Sequence, residues 1–183
     1  FTPSEMSAHR VTTPRLDELA GQGMIFTDAY SCAANCAPAR ACLLSGQYTP
    51  RHEVYNVGTG PRGNAKHRRL KHVPGTKTLD PKIRTWAHQL QQAGYATACY
   101  GKWNVGEVKD VSWPGAHGFD DWLIIDHNTG YFQHRNINAD CQGRPMLFET
   151  GGNRVTNLEG QYLTDIWADK ALEFIEANRG NPF

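Results

Sequence analysis

Three residues carry most of the chemistry this sequence can do. Cys36 and Arg40 stand four apart in Cys36-Ala37-Pro38-Ala39-Arg40, and Lys102 lies far downstream in Gly101-Lys102-Trp103-Asn104. The local pattern puts Cys36 just before a helix that opens near Pro38 and closes at Gly46. Arg40 then falls one helical turn on and can point back at the thiol. A helix start offers unpaired N–H groups and the positive end of the dipole, a setting that binds anions and activates a nucleophile. A nucleophile beside a guanidinium suits a tetrahedral oxyanion such as sulfate or phosphate, and Lys102 would add a second cation. The same residues also read as a buried structural thiol with a surface Arg and Lys, since free Cys is commonly buried. Spacing alone leaves both readings open.

The elements that must position these residues follow from local signals. Thr13-Pro14-Arg15-Leu16-Asp17-Glu18-Leu19-Ala20 reads as a helix start, with Thr13 as cap, Pro14 at the first position and acids in the first turn. Residues 24–30, rich in β-formers, read as a short strand. Residues 85–93 read as a helix capped by Gly94, and 95–100 as a strand with Lys102 beyond its carboxyl end. Apolar residues near helical spacing predict a helix over about 160–178. Residues 49–78 and 107–159 read as loop-rich insertions. Helix and strand in alternation predict an α/β fold with a mixed, largely parallel sheet flanked by helices. In such sheets, sites gather beyond the carboxyl ends of strands, so the Cys36–Arg40 and Lys102–Asn104 loops can be neighbours in space.

Composition narrows the function. The chain has 183 residues with 39% hydrophobic and 20% charged, ordinary for a globular domain. Nineteen Lys and Arg against eighteen Asp and Glu leave a net charge of +1. That balance argues against a dedicated nucleic-acid or membrane-surface binder, and no apolar run is long enough to span a bilayer. Phe1 is not preceded by a leader, and Gly180-Asn181-Pro182-Phe183 looks like entry into another strand, so both ends read as cuts through a larger catalytic domain. Five cysteines, at 32, 36, 42, 99 and 141, match no CxxC pair, and the eight histidines show no HExxH. His127, between Asp126 and Asn128, is a substrate-pocket candidate against the plainer reading of a surface loop. Trp103, Trp113 and Trp122 could line a sugar subsite, though half-buried packing is the simpler role. The basic run Lys66-His67-Arg68-Arg69-Leu70-Lys71-His72 reads as a solvated loop, and would help steer a sulfated polysaccharide if that were the substrate.

Cys36 to Arg40, continued by Ala41-Cys42-Leu43-Leu44-Ser45-Gly46-Gln47-Tyr48, closely resembles the signature of the type I, formylglycine-dependent sulfatases of the alkaline-phosphatase-like superfamily. Three more segments agree in order. These are 13–20 with Phe26-Thr27-Asp28-Ala29-Tyr30; Gly94-Tyr95-Ala96-Thr97-Ala98 with Gly101-Lys102-Trp103-Asn104-Val105-Gly106; and His117-Gly118-Phe119-Asp120-Asp121. The resemblance covers roughly residues 11–125 and the helix at 160–178. It implies that Cys36 is oxidised to formylglycine by a formylglycine-generating or anaerobic sulfatase-maturing enzyme. One hydroxyl of the aldehyde hydrate attacks sulfur, the alcohol leaves, and the second hydroxyl then expels sulfate. It also implies Ca²⁺ bound to the modified Cys36 and to acids outside this chain. Arg40 would hold the diol, and Lys102 the sulfate and the leaving oxygen. The substrate would be a sulfated small molecule or glycan, and the location exported, periplasmic or secreted, or lysosomal.

The departures matter as well. Ala39 replaces a usual Ser, Gln47 a usual Arg, and Asn104 a usual His. Asn104 can donate a hydrogen bond to substrate but cannot carry a proton at neutral pH. Two rivals therefore stand beside the sulfatase: a catalytically impaired binding domain of the same fold, and a phosphoester or phosphonate hydrolase of the same superfamily.

Overall fold

The computed structural model describes residues 11–58, 60–61, 63–106, 113–125, 147–153, 155 and 161–183. They fall in two compact units, Phe1–Ser31 and Cys32–Phe183.

In the first unit, α1 (Pro14–Gln22) begins where the Thr-Pro signal places it. Thr13 makes no side-chain cap, however; its hydroxyl donates to the Asp17 carboxylate at 3.4 Å. The strand expected over 24–30 does not form. Met24, Phe26 and Tyr30 are exposed, and no backbone ladder reaches this stretch among the described residues. β-forming residues make a strand only when a neighbouring strand takes up their N–H and C=O groups.

The second unit runs α2 (Cys36–Ser45), α3 (Thr49–His52), α4 (Trp86–Gln92), β1 (Ala98–Lys102), β2 (Asp121–Ile125), β3 (Leu147–Glu149) and α5 (Leu163–Ala177). The sheet is mixed, in the order β1-β2-β3. β1 and β2 pair in parallel from Ala98 opposite Asp121 to Lys102 opposite Ile125, and β3 returns antiparallel to β2. Two strands thus lie in the stretch read as mostly loop. β2 is Asp-Trp-Leu-Ile-Ile, and its Leu123, Ile124 and Ile125 are buried on both faces of the sheet, so it shows no polar alternation that a periodicity reading could catch.

Alternation along β2 divides the core. Ile124 faces a cluster with Ala37, Ala41 and Leu44 of α2, Ala87 of α4, and Val54, Leu79, Trp103, Val105 and Phe119. Leu123 and Ile125 face Leu147 and Leu163, against which Ile166 and Trp167 of α5 pack. Helices therefore cover both faces, as an α/β fold requires. The Gly118 turn locks α4 to the sheet: at φ +90°, a Cβ there would stand 2.4 Å from the His88 backbone nitrogen. The stretch after α2 is also less loop-like than its composition suggests, since His52 and Val54 are buried.

Candidate active site

α2 opens at Cys36 itself, two residues earlier than Pro38. Asn35 is the reason: its side-chain oxygen accepts the Cys36 N–H at 3.2 Å, and its carbonyl accepts from Ala39 N–H at 2.9 Å. Pro38 sits in the first turn, where a missing N–H costs nothing. The thiol of Cys36 also lies 3.8 Å from the same Asn35 oxygen. Ala37, Ala41 and Leu44 turn one stripe of α2 into the core, which leaves Cys36 and Arg40 at its half-buried rim. Gly46 closes the helix at φ +65°, with its N–H on the Cys42 carbonyl.

The second half of the site hangs from β1. Lys102 ends the strand, and Trp103 extends the pairing by donating its N–H to the Ile125 carbonyl at 2.9 Å. Trp103 is buried, edge-on to Phe119 and 5.5 Å from the His117 ring. Val105 is buried and its carbonyl accepts from Leu79 N–H at 2.9 Å. Asn104, held between these two anchors, adopts φ +60°, a left-handed conformation that Asn tolerates better than most residues. Its Oδ1 is buried and meets no hydrogen-bond donor among the described residues.

One bond joins the halves. Arg40 Nη1 donates to the Lys102 carbonyl at 2.6 Å across 62 residues of sequence. The two loops expected to be neighbours are neighbours.

The other described thiols have different surroundings, and none of the four forms a disulfide. Burial pushes Cys99 up to about 11, with the Arg40 charge pulling it partly back, so this thiol stays protonated at neutral pH. Cys42 is buried 3.3 Å from His52 Nε2. Val54 N–H donates to His52 Nδ1 at 3.1 Å, which assigns the ring proton to Nε2 and makes the sulfur its acceptor. Burial raises Cys42 and lowers His52, marking a neutral structural pair. Cys32 is exposed. Among the described cysteines, only Cys36 stands at a helix start.

His127 and Cys141 lie outside the described residues. Trp103 is core, and Trp113 and Trp122 pack against the same cluster, so packing accounts for all three. Among the described residues no three His, Cys, Asp or Glu side chains converge as a metal site. Ca²⁺ takes about six to eight oxygen ligands, so the described residues do not fit that ion by themselves.

A model described as Sulfatase matches residues 4–183. The chain belongs to the sulfatase family. The N-acetylglucosamine-6-O-sulfatase of Bacteroides thetaiotaomicron is 32% identical over 94% of this chain and 25% of its own length. The mouse N-acetylgalactosamine-6-sulfatase is 33% identical over 93% of this chain and 33% of its own. A solved structure holding its substrate D-glucosamine-2-N,6-O-disulfate is 31% identical, with a TM-score of 0.62 over 94% of this chain and 28% of that one. The Ps i-CgsB crystal structure superposes with a TM-score of 0.72 over 98% of this chain at 24% identity, which speaks to the fold alone. The chain thus spans a quarter to a third of the length of these curated relatives.

Sequence reasoning missed Asn35 in this sulfatase segment. The signal was available, because Asn is a preferred N-cap and stands directly before Cys36. The orphaned Oδ1 of Asn104 carries no such signal, since it depends on a backbone conformation visible only in the fold.

Proposed function

We propose that the whole protein hydrolyses the sulfate ester of a carbohydrate, with Cys36 matured to formylglycine as the nucleophile. The observation that carries this reading is the Arg40–Lys102 bond, which ties the helix start bearing Cys36 to the strand end bearing Lys102. Formylglycine supplies a hydrated aldehyde that attacks sulfur and later releases sulfate without hydrolysis of a stable ester. The remaining work falls to unmodified residues. Arg40 fixes the α2 rim against β1 and presents its remaining N–H donors to the oxyanion side of Cys36. Lys102 places a second positive charge for sulfate and for the leaving oxygen. Asn104 can donate a hydrogen bond to substrate from its side-chain amide, and His127 belongs to the same proposed substrate set. Ca²⁺ is the family's metal, with the modified Cys36 the one ligand proposed from this chain.

The relatives' names support a sulfated amino sugar as the substrate class. The same reading includes a maturing enzyme as partner and an exported or lysosomal location. No helix among the described residues is long and apolar enough to cross a membrane.

The test begins with the mass of the Cys36 peptide from full-length protein made in a host able to mature it. Conversion lowers the mass by about 18 Da relative to the thiol. Cys36→Ala should then lower aryl sulfate turnover by more than about 10⁴-fold. An unmodified thiol together with full binding of sulfated sugar would favour the impaired binding domain. Faster cleavage of aryl phosphate than of aryl sulfate would favour the phosphoester hydrolase.

A further inference from the structure

Charge is unevenly spread along this nearly neutral chain. Between Glu53 and Asp80 there is no acid, but there are six Lys and Arg, at 62, 66, 68, 69, 71 and 77, with His67 and His72 among them. The remainder carries thirteen Lys and Arg against eighteen Asp and Glu. Like charges this dense repel one another, and the excursion's own sequence holds no acid to offset them. Residues 66–71 are all exposed.

The excursion has a firm root. Thr76 N–H donates to the Glu53 carbonyl at 2.9 Å, so the chain leaves and returns at one point. Gly75 packs there so closely that a Cβ would stand 2.5 Å from the Glu53 oxygen. On the outgoing side, His52 is bonded to Cys42 of α2. On the returning side, Leu79 is bonded to Val105, next to Asn104. Both halves of the candidate site therefore anchor the root of this one loop.

The loop also has shape. A 3₁₀ turn at Ala65–His67 is capped by Asn64, whose side chain accepts from Lys66 N–H at 3.0 Å. Arg68 Nη2 donates to the Gly63 carbonyl at 2.8 Å. An open cavity of about 440 Å³ lies along it, lined by His67, Arg68, Arg69 and His72 with Leu70 and Pro61. It has room for more than an inorganic anion, and its mixed cationic and apolar lining suits a sulfated sugar ring.

We propose that the 63–72 loop holds a second sulfated unit of the same substrate chain, so that the substrate is a sulfated oligosaccharide or polysaccharide rather than a monosaccharide. The proposal rests on the sulfatase reading for the unit cleaved, but binding at the loop is measurable without turnover. The favoured ligand is a sulfated glycan over a nucleic acid because residues 63–72 contain no Phe, Tyr or Trp, the strongest platforms for base stacking.

The experiment compares full-length protein with the variant Lys66→Ala/Arg69→Ala/Lys71→Ala, which keeps the Arg68–Gly63 bond. Both are also made with Cys36→Ala, and binding of a heparin-derived octasaccharide to these inactive forms is titrated at two salt concentrations. The triple variant should bind about tenfold or more weakly, with a shallower salt dependence, while kcat/KM for a small aryl sulfate in the active forms stays within about twofold. Equal octasaccharide affinity in the two inactive forms would overturn the proposal, as would equally tight binding of a charge-matched single-stranded oligonucleotide. Failure of both active forms to cleave aryl sulfate would instead sink the hydrolase reading and leave the binding result standing on its own.

Discussion

The rim of α2 with the end of β1, and the basic loop that shares their root, are built on opposite terms. At the rim, the anchoring is to the core: Arg40 is committed to the Lys102 carbonyl, and the backbone of Lys102 and Asn104 flanks buried Trp103. In the loop, residues 66–71 stand in solvent on a fastened root, shaped by the local Asn64 cap and the Arg68–Gly63 bond. The difference teaches what each can be used for. Bond-breaking needs groups held within fractions of an ångström, which core packing supplies. Gripping a long, repeating anion needs accessible charge that adapts to it, and its contribution is screened by salt. The first region should therefore respond to single, conservative substitutions, and the second only to the removal of several charges.

Arg40→Lys is the sharpest way to test that contrast. The charge survives, but a single ammonium cannot satisfy the Lys102 carbonyl and also offer a fork of donors to an oxyanion. Loss of one preorganised donor in an active site commonly costs about 10²–10³ in kcat, and that is the expected fall for full-length enzyme on a small aryl sulfate. The three-charge loop variant should leave the same assay almost unchanged. If Arg40→Lys retained activity within about threefold, the rim would be no more exacting than the loop and the comparison would fail.

Acid should separate the two regions in stability rather than rate. His117 is fully buried against the Trp103 ring, which lies between Lys102 and Asn104. Burial above all, with the charge of neighbouring His88, lowers it to about 4 against the opposing pull of Asp80 and the Leu79 backbone. An unfolded His titrates near 6.5, so between these values the unfolded chain binds the extra proton and the folded one does not. Stability is then highest above about pH 6.5 and falls as pH drops toward 4, by on the order of 2–3 kcal/mol. Denaturant midpoints at pH 7 and pH 4.5 should show this drop, and His117→Phe, which keeps a ring against Trp103, should reduce it. An unchanged pH slope in that variant would assign the acid sensitivity elsewhere.

Much of the rim was legible in the sequence because its signals are local. The Cys36-to-Arg40 spacing and Gly46 as helix stop depend on a few adjacent residues and appear where those residues put them, while the strand expected over 95–100 forms over Ala98–Lys102, so Lys102 ends it rather than lying beyond it. The strands β2 and β3 were not legible, because a five-residue apolar run and a three-residue pairing become strands only through their partners. The 24–30 stretch errs the other way: β-forming residues are present, but no ladder is found among the described residues. Within the site, the Arg40–Lys102 bond was foreseeable only as a neighbourhood, since a contact across 62 residues has no local signature.

Asn104 gives the finest test, because backbone and side chain can be separated. Its φ of +60° suits Gly, is tolerated by Asn and strains Ala. Its Oδ1 is buried with no donor among the described residues, and the proposed substrate contact is the N–H donor of the same side-chain amide. Asn104→Gly should therefore fold with equal or greater stability while kcat/KM on the sulfated sugar falls about tenfold, the loss of one neutral hydrogen bond. Asn104→Ala should show the same kinetic loss but melt with about 1 kcal/mol less stability than the Gly variant. That pairing, catalysis down in both and stability down in only one, is what a residue strained for substrate should produce. Were Asn104→Gly to keep full kcat/KM, the Asn104 amide would not be a substrate contact, and the rim would reduce to Cys36, Arg40 and Lys102.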